Sequence, residues 1–242
     1  MRIVLVPFLA VLVHPWTLDC APGKVTKESL DEGGVKRSYF LYVPVGLQES
    51  DSVPLVVALH GSGRDGASLV DKWKDLASKA QIIVAGPNSQ NPAGWASPAD
   101  GPEFIRNVVD TVKKEHRIDP RRVYLFGHSA GAVFALIMAC WESNYFAAAS
   151  VHAGAFRSTQ ELAALDVAKR KIPIQFIVGT RDPFFPLPLV KANVEKFRQS
   201  GFPVELEALR GHDHFYYGSA REINRLAWEF LKEQQLPADK LK

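Results

Sequence analysis

Ser129, Asp182 and one of the two histidines His212 and His214 are the residues through which this chain could do covalent chemistry, and they occur in the order nucleophile, carboxylate, imidazole. Ser129 sits in Gly127-His128-Ser129-Ala130-Gly131, a G-x-S-x-G pentapeptide between an apolar strand-like run, residues 123–126, and an apolar helix-like run, residues 132–140. A serine on a sharp strand-to-helix turn projects beyond the end of a sheet, and the flanking glycines leave room where a Cβ would clash. The alternative is an ordinary turn whose serine caps the helix. Asp182 ends Gly179-Thr180-Arg181-Asp182, directly after another apolar run. A carboxylate there would orient a histidine and stabilise its protonated form, although turn chemistry before Pro183 also favours aspartate. Asp166 and Asp213 are weaker rivals, because neither directly follows a strand.

The base is expected in Gly211-His212-Asp213-His214, after the run 204–209. His212 and His214 are two apart, so an extended segment would point them the same way and spacing does not choose between them. A metal reading of His-x-His lacks any further Cys or His motif of ligand spacing. His60, His116, His128 and His152 read as packing or surface residues, with His152, after a strand, placed where it could line a pocket. In His60-Gly61-Ser62-Gly63 the backbone N–H of Ser62 is predicted to pair with that of Ala130 as an oxyanion hole; a plain glycine-rich turn is the alternative. Trp95, Phe184 and Tyr216, with Phe185 and Tyr217, are predicted to wall the substrate site, ordinary rim packing being the competing reading for each.

These residues need elements to carry them. Beyond residue 36 the pattern alternates strand and helix: strands at 37–43, 55–59, 82–85, 123–126, 146–151, 174–178 and 204–209, and helices at 69–80, from Pro102, at 187–199 and at 223–234. Proline suits a first helical turn, and Phe104, Ile105, Val108, Val109 and Val112 give that helix an apolar stripe. The continuous apolar run 55–59 suits a sheet buried on both faces. Alternation of this kind predicts an α/β fold, a mostly parallel central sheet flanked by helices on both faces, with ligands bound beyond the carboxyl ends of the strands. The candidate residues fall just after strands, as that geometry demands. Residues 156–171 have room for one short helix, so minimal or no lid is expected and the pocket should be open.

With 47% hydrophobic and 23% charged residues the chain has an ordinary globular composition, and residues 21–242 are expected to form one catalytic domain. The net charge of +3 comes from dispersed Lys and Arg with no basic run interleaved with aromatics, which argues against a nucleic-acid partner. Met1-Arg2 and the apolar run 3–13 suggest a signal-like segment over residues 1–20 and a secreted or periplasmic protein, with a cytoplasmic one as the alternative. The run is too short to span a bilayer. Cys20 and Cys140 have no spacing that pairs them, and Cys140 reads as a small buried thiol.

Several segments carry a resemblance. Tyr39-Phe40-Leu41-Tyr42-Val43-Pro44, Leu59-His60-Gly61-Ser62-Gly63, Asp100-Gly101-Pro102-Glu103-Phe104-Ile105 and the run from Arg117 to Gly131 resemble the α/β-hydrolase superfamily over about residues 38–231. Within it they are similar to the small secreted esterases grouped with feruloyl esterases and polyhydroxybutyrate depolymerases. Gly211-His212-Asp213-His214-Phe215-Tyr216-Tyr217 looks like the histidine loop G-Y-D-H-S-Y-Y of esterase-D-type hydrolases. That match puts the base on His214 and His212 where a tyrosine would stand. Many secreted members follow the histidine with an aromatic-Pro pair, which is absent here. The resemblance implies a serine carboxylic-ester hydrolase that needs no cofactor or metal and acts on short-chain or aromatic esters or polyester oligomers, small or polymeric. A serine peptidase or thioesterase on the same scaffold, and a non-catalytic protein reusing the fold, are the alternatives.

Overall fold

Seven consecutive buried residues make β3 (Val53–Leu59) the centre around which the other strands assemble. The computed structural model describes residues 23–48 and 50–238; the signal-like segment and Cys20 lie outside the described residues. In chain order the strands are β1 (Val25–Glu32), β2 (Val35–Tyr42), β3, β4 (Ile83–Pro87), β5 (Ile118–His128), β6 (Ala148–His152), β7 (Ile174–Gly179) and β8 (Val204–Leu209). They form one eight-stranded sheet in the order β1-β2-β4-β3-β5-β6-β7-β8. β1 and β2 pair antiparallel with each other, and β2 with β4; every other pairing is parallel. Parallel strands bury both faces, which is why β3, β4, β6 and β7 have no exposed residue.

The helices are α1 (Gly66–Ala80), α2 (Pro102–Glu115), α3 (Ala130–Trp141), the short α4 (Thr159–Leu162) and α5 (Ala164–Val167), α6 (Leu187–Gln199) and α7 (Tyr216–Leu231). One face of the sheet is covered by α1 and α7, whose Leu69, Val70, Trp73, Ile223 and Leu231 pack on Val56, Tyr124 and Phe126. The other is covered by α2, α3 and α6, whose Phe104, Phe134, Leu136 and Phe197 pack on Val57, Leu125 and Phe176. Asp65 starts α1 by accepting the Ser68 N–H at 3.1 Å.

Several elements differ from the sequence expectation. The polar strand β1 is an exposed edge strand, where no apolar alternation is required; the Gly33-Gly34 turn, with φ of +61° and +85°, folds it onto β2. β5 begins at Ile118, which pairs with Val53, and the register shifts before Val123 pairs with Leu55; Pro120 and two arginines hide this first part. α7 begins at Tyr216, not 223, so the aromatic pair after His214 belongs to a helix. In residues 156–171 there are two four-residue helices where one was expected.

α1 reaches β4 through a glycine pair: a Cβ on Gly86 would lie 2.6 Å from the Gly66 carbonyl oxygen and 2.6 Å from Val70 Cγ2. Gly86→Ala should therefore cost about 1–3 kcal/mol, read as a lower urea midpoint with an unchanged denaturant slope. An unchanged midpoint would show that the two backbones can separate freely.

Candidate active site

β5 hands the chain to α3 through a turn that admits only small residues. Ser129 has φ +55° and ψ −120°, a conformation that costs a non-glycine residue about 1–3 kcal/mol and persists only where surrounding packing imposes it. The packing is specific: a Cβ on Gly127 would lie 2.3 Å from the Gly131 carbonyl oxygen, and one on Gly131 only 2.0 Å from that of Leu59. The Ser129 N–H donates to the His152 carbonyl at 3.0 Å, which ties the turn to β6. Ser129 occupies the N-cap position of α3, yet its side chain makes no capping hydrogen bond. Its hydroxyl lies 2.9 Å from Nε2 of His214, and this separates it from an ordinary helix cap.

His214 reaches Ser129 because the ends of β7 and β8 are laced together. The Thr180 and Arg181 N–H groups donate to the carbonyls of Leu209 and His212 at 3.0 and 2.9 Å. Gly179 permits the approach, since a Cβ there would lie 2.1 Å from the His212 oxygen. His214 Nδ1 then lies 2.9 Å from Asp182 Oδ2. In the neutral ring this assigns the proton to Nδ1, donated to the carboxylate, and leaves Nε2 to accept from the Ser129 hydroxyl. Asp182 Oδ1 accepts the Phe184 and Phe185 N–H groups, each at 2.8 Å. Burial works to raise the Asp182 pKa, but the His214 hydrogen bond and these two backbone donors outweigh it and hold the carboxyl below its ordinary value. Asp166 is exposed on α5, and Asp213 Oδ1 accepts the Phe215 N–H at 2.8 Å.

The loop after β3 lies against the serine. A Cβ on Gly61 would sit 3.3 Å from both Ser129 Cβ and His128 Cδ2, and Ser62 and Ala130 line the same cavity as Ser129. The Ala130 N–H is among the first of α3, which have no acceptor within the helix. His60 braces this loop: its Nδ1–H donates to the Gly61 carbonyl at 2.9 Å and its Nε2 accepts the Ser89 N–H at 3.1 Å. Trp95 is not at the cavity, contrary to expectation. Its Nε1–H donates to the His60 carbonyl at 2.8 Å, and its ring stacks on Phe134 at 4.9 Å, so it clamps the loop from behind. The loop carrying Trp95 is held in turn by buried Asp100, which accepts from Arg37, Gln90 N–H and Ala96 N–H.

Tyr216 is also displaced from the expected wall. It is fully buried, donates its hydroxyl to Asn224 Oδ1 at 2.7 Å and packs its ring 5.2 Å from that of His128. A helical start at 216 turns it inward. Phe184 does line the cavity and is 62% exposed, its ring 4.9 Å from His214. Phe185, Phe215 and Tyr217 join it around a volume of about 680 Å³. Cys140 is buried on α3, and burial pushes its thiol up to about 12. Among the described residues no helix is long and apolar enough to cross a membrane.

A row of imidazoles behind the serine has no counterpart in the sequence reading. His128 Nδ1 lies 3.0 Å from His152 Nδ1, His152 Nε2 lies 3.1 Å from His212 Nε2, and His212 Nδ1 lies 3.4 Å from Ser219 Oγ. His128 and His152 are buried. His212 thus turns away from Ser129 while His214 turns toward it. His128 and His152 end the adjacent strands β5 and β6, and His212 follows β8; that shared placement beyond strand ends was the signal available. Burial, with the neighbouring imidazoles, pushes the His128 ring down to about 3 and the His152 ring well below its ordinary value.

Comparison with known proteins places this geometry in context. A family model described as esterase PHB depolymerase matches residues 37–206. The poly(3-hydroxyalkanoate) depolymerase C of Paucimonas lemoignei is 36% identical over 128 residues, covering 48% of this chain and 30% of that protein. A bifunctional acetylxylan esterase/xylanase of Neocallimastix patriciarum is 26% identical over 171 residues, covering 69% of this chain and 24% of that protein. The chain thus spans less than a third of the length of these two relatives. A solved ferulic acid esterase from Anaeromyces mucronatus, in complex with ferulic acid, superposes with a TM-score of 0.69 at 16% identity, covering 87% of this chain and 91% of that one. The fold is that of the α/β-hydrolases.

Neutral buried imidazoles make stability depend on pH. His128 binds its proton less readily folded than unfolded, so its contribution is full above the ordinary pKa of 6.5 and is lost as pH falls toward 3. Between pH 7 and pH 5 the loss should be about 2 kcal/mol from His128, with His152 adding in the same direction. Urea unfolding at the two pH values reads this directly, and His128→Asn should flatten the dependence. Equal unfolding free energies for the wild type would refute a neutral buried row.

Proposed function

The chain belongs to the esterase PHB depolymerase family, and on that premise we propose that it is a serine carboxylic-ester hydrolase. The observation that carries the proposal is the continuous hydrogen-bonded line from Asp182 through His214 to Ser129, ending in an open cavity. In this reading His214 Nε2 takes the Ser129 proton as Oγ attacks the ester carbonyl, and Asp182 holds the ring in the required tautomer and stabilises the imidazolium. The Ser62 and Ala130 N–H groups receive the developing oxyanion, a contribution of about 3–4 kcal/mol for a well-placed donor. His214 then protonates the leaving alcohol. Water, deprotonated by the same nitrogen, releases the acid and restores Ser129.

The substrates proposed are short-chain or aromatic esters, feruloyl-type among them, or polyester oligomers. Support comes from the aromatic rim of Phe184, Phe185, Phe215 and Tyr217, and from relatives named as a poly(3-hydroxyalkanoate) depolymerase and an acetylxylan esterase. A cavity of about 680 Å³ accommodates a drug-sized ligand. Faster cleavage of long-chain than of short-chain p-nitrophenyl esters would contradict this preference.

Purified protein should hydrolyse p-nitrophenyl butyrate, with methyl ferulate, a hydroxybutyrate oligomer and a peptide anilide as comparison substrates. Ser129→Ala and His214→Ala should each lower kcat on the order of 10⁴-fold or more, and Asp182→Asn about 10⁴-fold, while His212→Ala should still turn over. A fluorophosphonate should label Ser129. Cleavage of the anilide alone would move the assignment to a peptidase, and failure of both labelling and hydrolysis to a binding protein.

A further inference from the structure

Two guanidinium groups line the cavity of Ser129, and neither is paired with a carboxylate among the described residues. Arg64, in the loop that carries Ser62, lies over the Tyr217 ring at 4.8 Å from its centroid. Arg157, beyond the end of β6, lies over the Phe185 ring at 4.1 Å and donates to the Phe184 carbonyl. Among the described residues the arginines within 4.0 Å of a carboxylate are Arg37 and Arg106. Three acidic side chains are near enough to compete, in sequence or on the cavity wall, and all are engaged with backbone. Asp65, next to Arg64, accepts the Ser68 N–H at 3.1 Å as the cap of α1. Asp213, also on the cavity wall, accepts the Phe215 N–H. Glu161 accepts the N–H groups of Arg157 and Ser158 at 2.6 and 2.9 Å, as part of the α4 capping box.

A stacked guanidinium keeps its flat face on the ring and its in-plane N–H donors at the edge, so ordering it for a ligand costs less than ordering a free side chain. Its planar fork matches a carboxylate, which it binds with two parallel hydrogen bonds. Two such cations against one carboxylate on the wall of a partly enclosed cavity also make the approach favourable to an anion.

We propose that this cavity selects esters that themselves carry a carboxylate, with Arg157 and Arg64 as the specificity-determining residues. Hemi-esters of dicarboxylic acids carry the charge on the acyl side; hydroxy-acid oligomers with a free carboxyl end carry it on the alcohol side. The carboxylate sits at the guanidinium edges while the ester carbonyl lies at Ser129. For an oligomer this favours cleavage next to the charged chain end over cleavage within the chain. The inference rests on the ester-hydrolase reading of the site.

The test compares matched pairs of substrates. Mono-p-nitrophenyl adipate against p-nitrophenyl hexanoate examines the acyl side, and 3-acetoxybutyrate against 3-acetoxybutyramide the alcohol side. At low salt the wild type should favour the charged member of at least one pair by about tenfold in kcat/KM, the equivalent of one charge-assisted hydrogen bond. Arg157→Gln and Arg64→Gln should each lower that ratio, the double variant should bring it to about one, and added salt should weaken it. The ratio is taken within one preparation, so partial unfolding of a variant cancels. Cleavage of the neutral esters with a wild-type ratio of one or less in both pairs overturns this inference alone, as does a ratio indifferent to both substitutions. Cleavage of none of the four esters, with no fluorophosphonate labelling, overturns the reading of the site and this inference with it.

Discussion

The crossing of two backbones at Gly131 and Leu59 is the constraint on which the rest of the site depends. A Cβ on Gly131 would lie within 2.0 Å of the Leu59 oxygen, so α3 can start where it does only if that position is glycine. Because α3 starts there, β5 must end in a turn too sharp for ordinary dihedrals, and Ser129 takes φ +55°. Because Leu59 is held at that spot, the loop 60–63 emerges beside the serine and not above it. Nucleophile position and loop position are thus one packing event. The continuous apolar character of β3 fixes it, since the strand cannot slide without exposing residues that are now fully buried.

Around that crossing, charge is distributed by environment. Asp182 keeps its charge in a nearly inaccessible place because three donors surround it. His128 and His152 lack such partners and are held neutral by burial. His214 stands between the two environments with 20% of its side chain exposed, bonded to the carboxylate on one side and the hydroxyl on the other. The buried rings of His128 and His152 are disfavoured as cations, because burial penalises the charged form of an imidazole.

The strand–helix alternation and the residues placed after strands were legible because both are local. A parallel strand buried on both faces reads as an apolar run, and Ser129, Asp182 and His214 stand directly beyond such runs. What was illegible depends on rotation. Tyr216 and Tyr217 look equivalent in sequence; the first turn of α7 sends one into the core against His128 and the other to the cavity. Trp95 sits in a loop that could face either side of His60, and only the buried Arg37–Asp100 pair, between residues 63 apart, decides which. An extended segment would point His212 and His214 alike, so spacing could not choose between them. The two rings diverge, His212 bonding to His152 and His214 to Ser129.

The imidazole row links the cavity floor to the surface by simple accounting. Each neutral ring offers one N–H and one lone pair, and both nitrogens of His152 are bonded to other rings. The row therefore has a direction. If His212 donates to Ser219, it must accept from His152, which must accept from His128, leaving a bare lone pair on His128 Nε2. If Ser219 donates instead, every bond reverses and His128 Nε2 carries a proton. The state of a nitrogen on the cavity wall is thus tied to a hydrogen bond near the outer end of β8. No glutamine or asparagine at position 152 could keep that link, because an amide presents its donor and acceptor at one end of the side chain. An imidazole presents them on opposite edges of a ring, far enough apart to join residues carried by strands on either side.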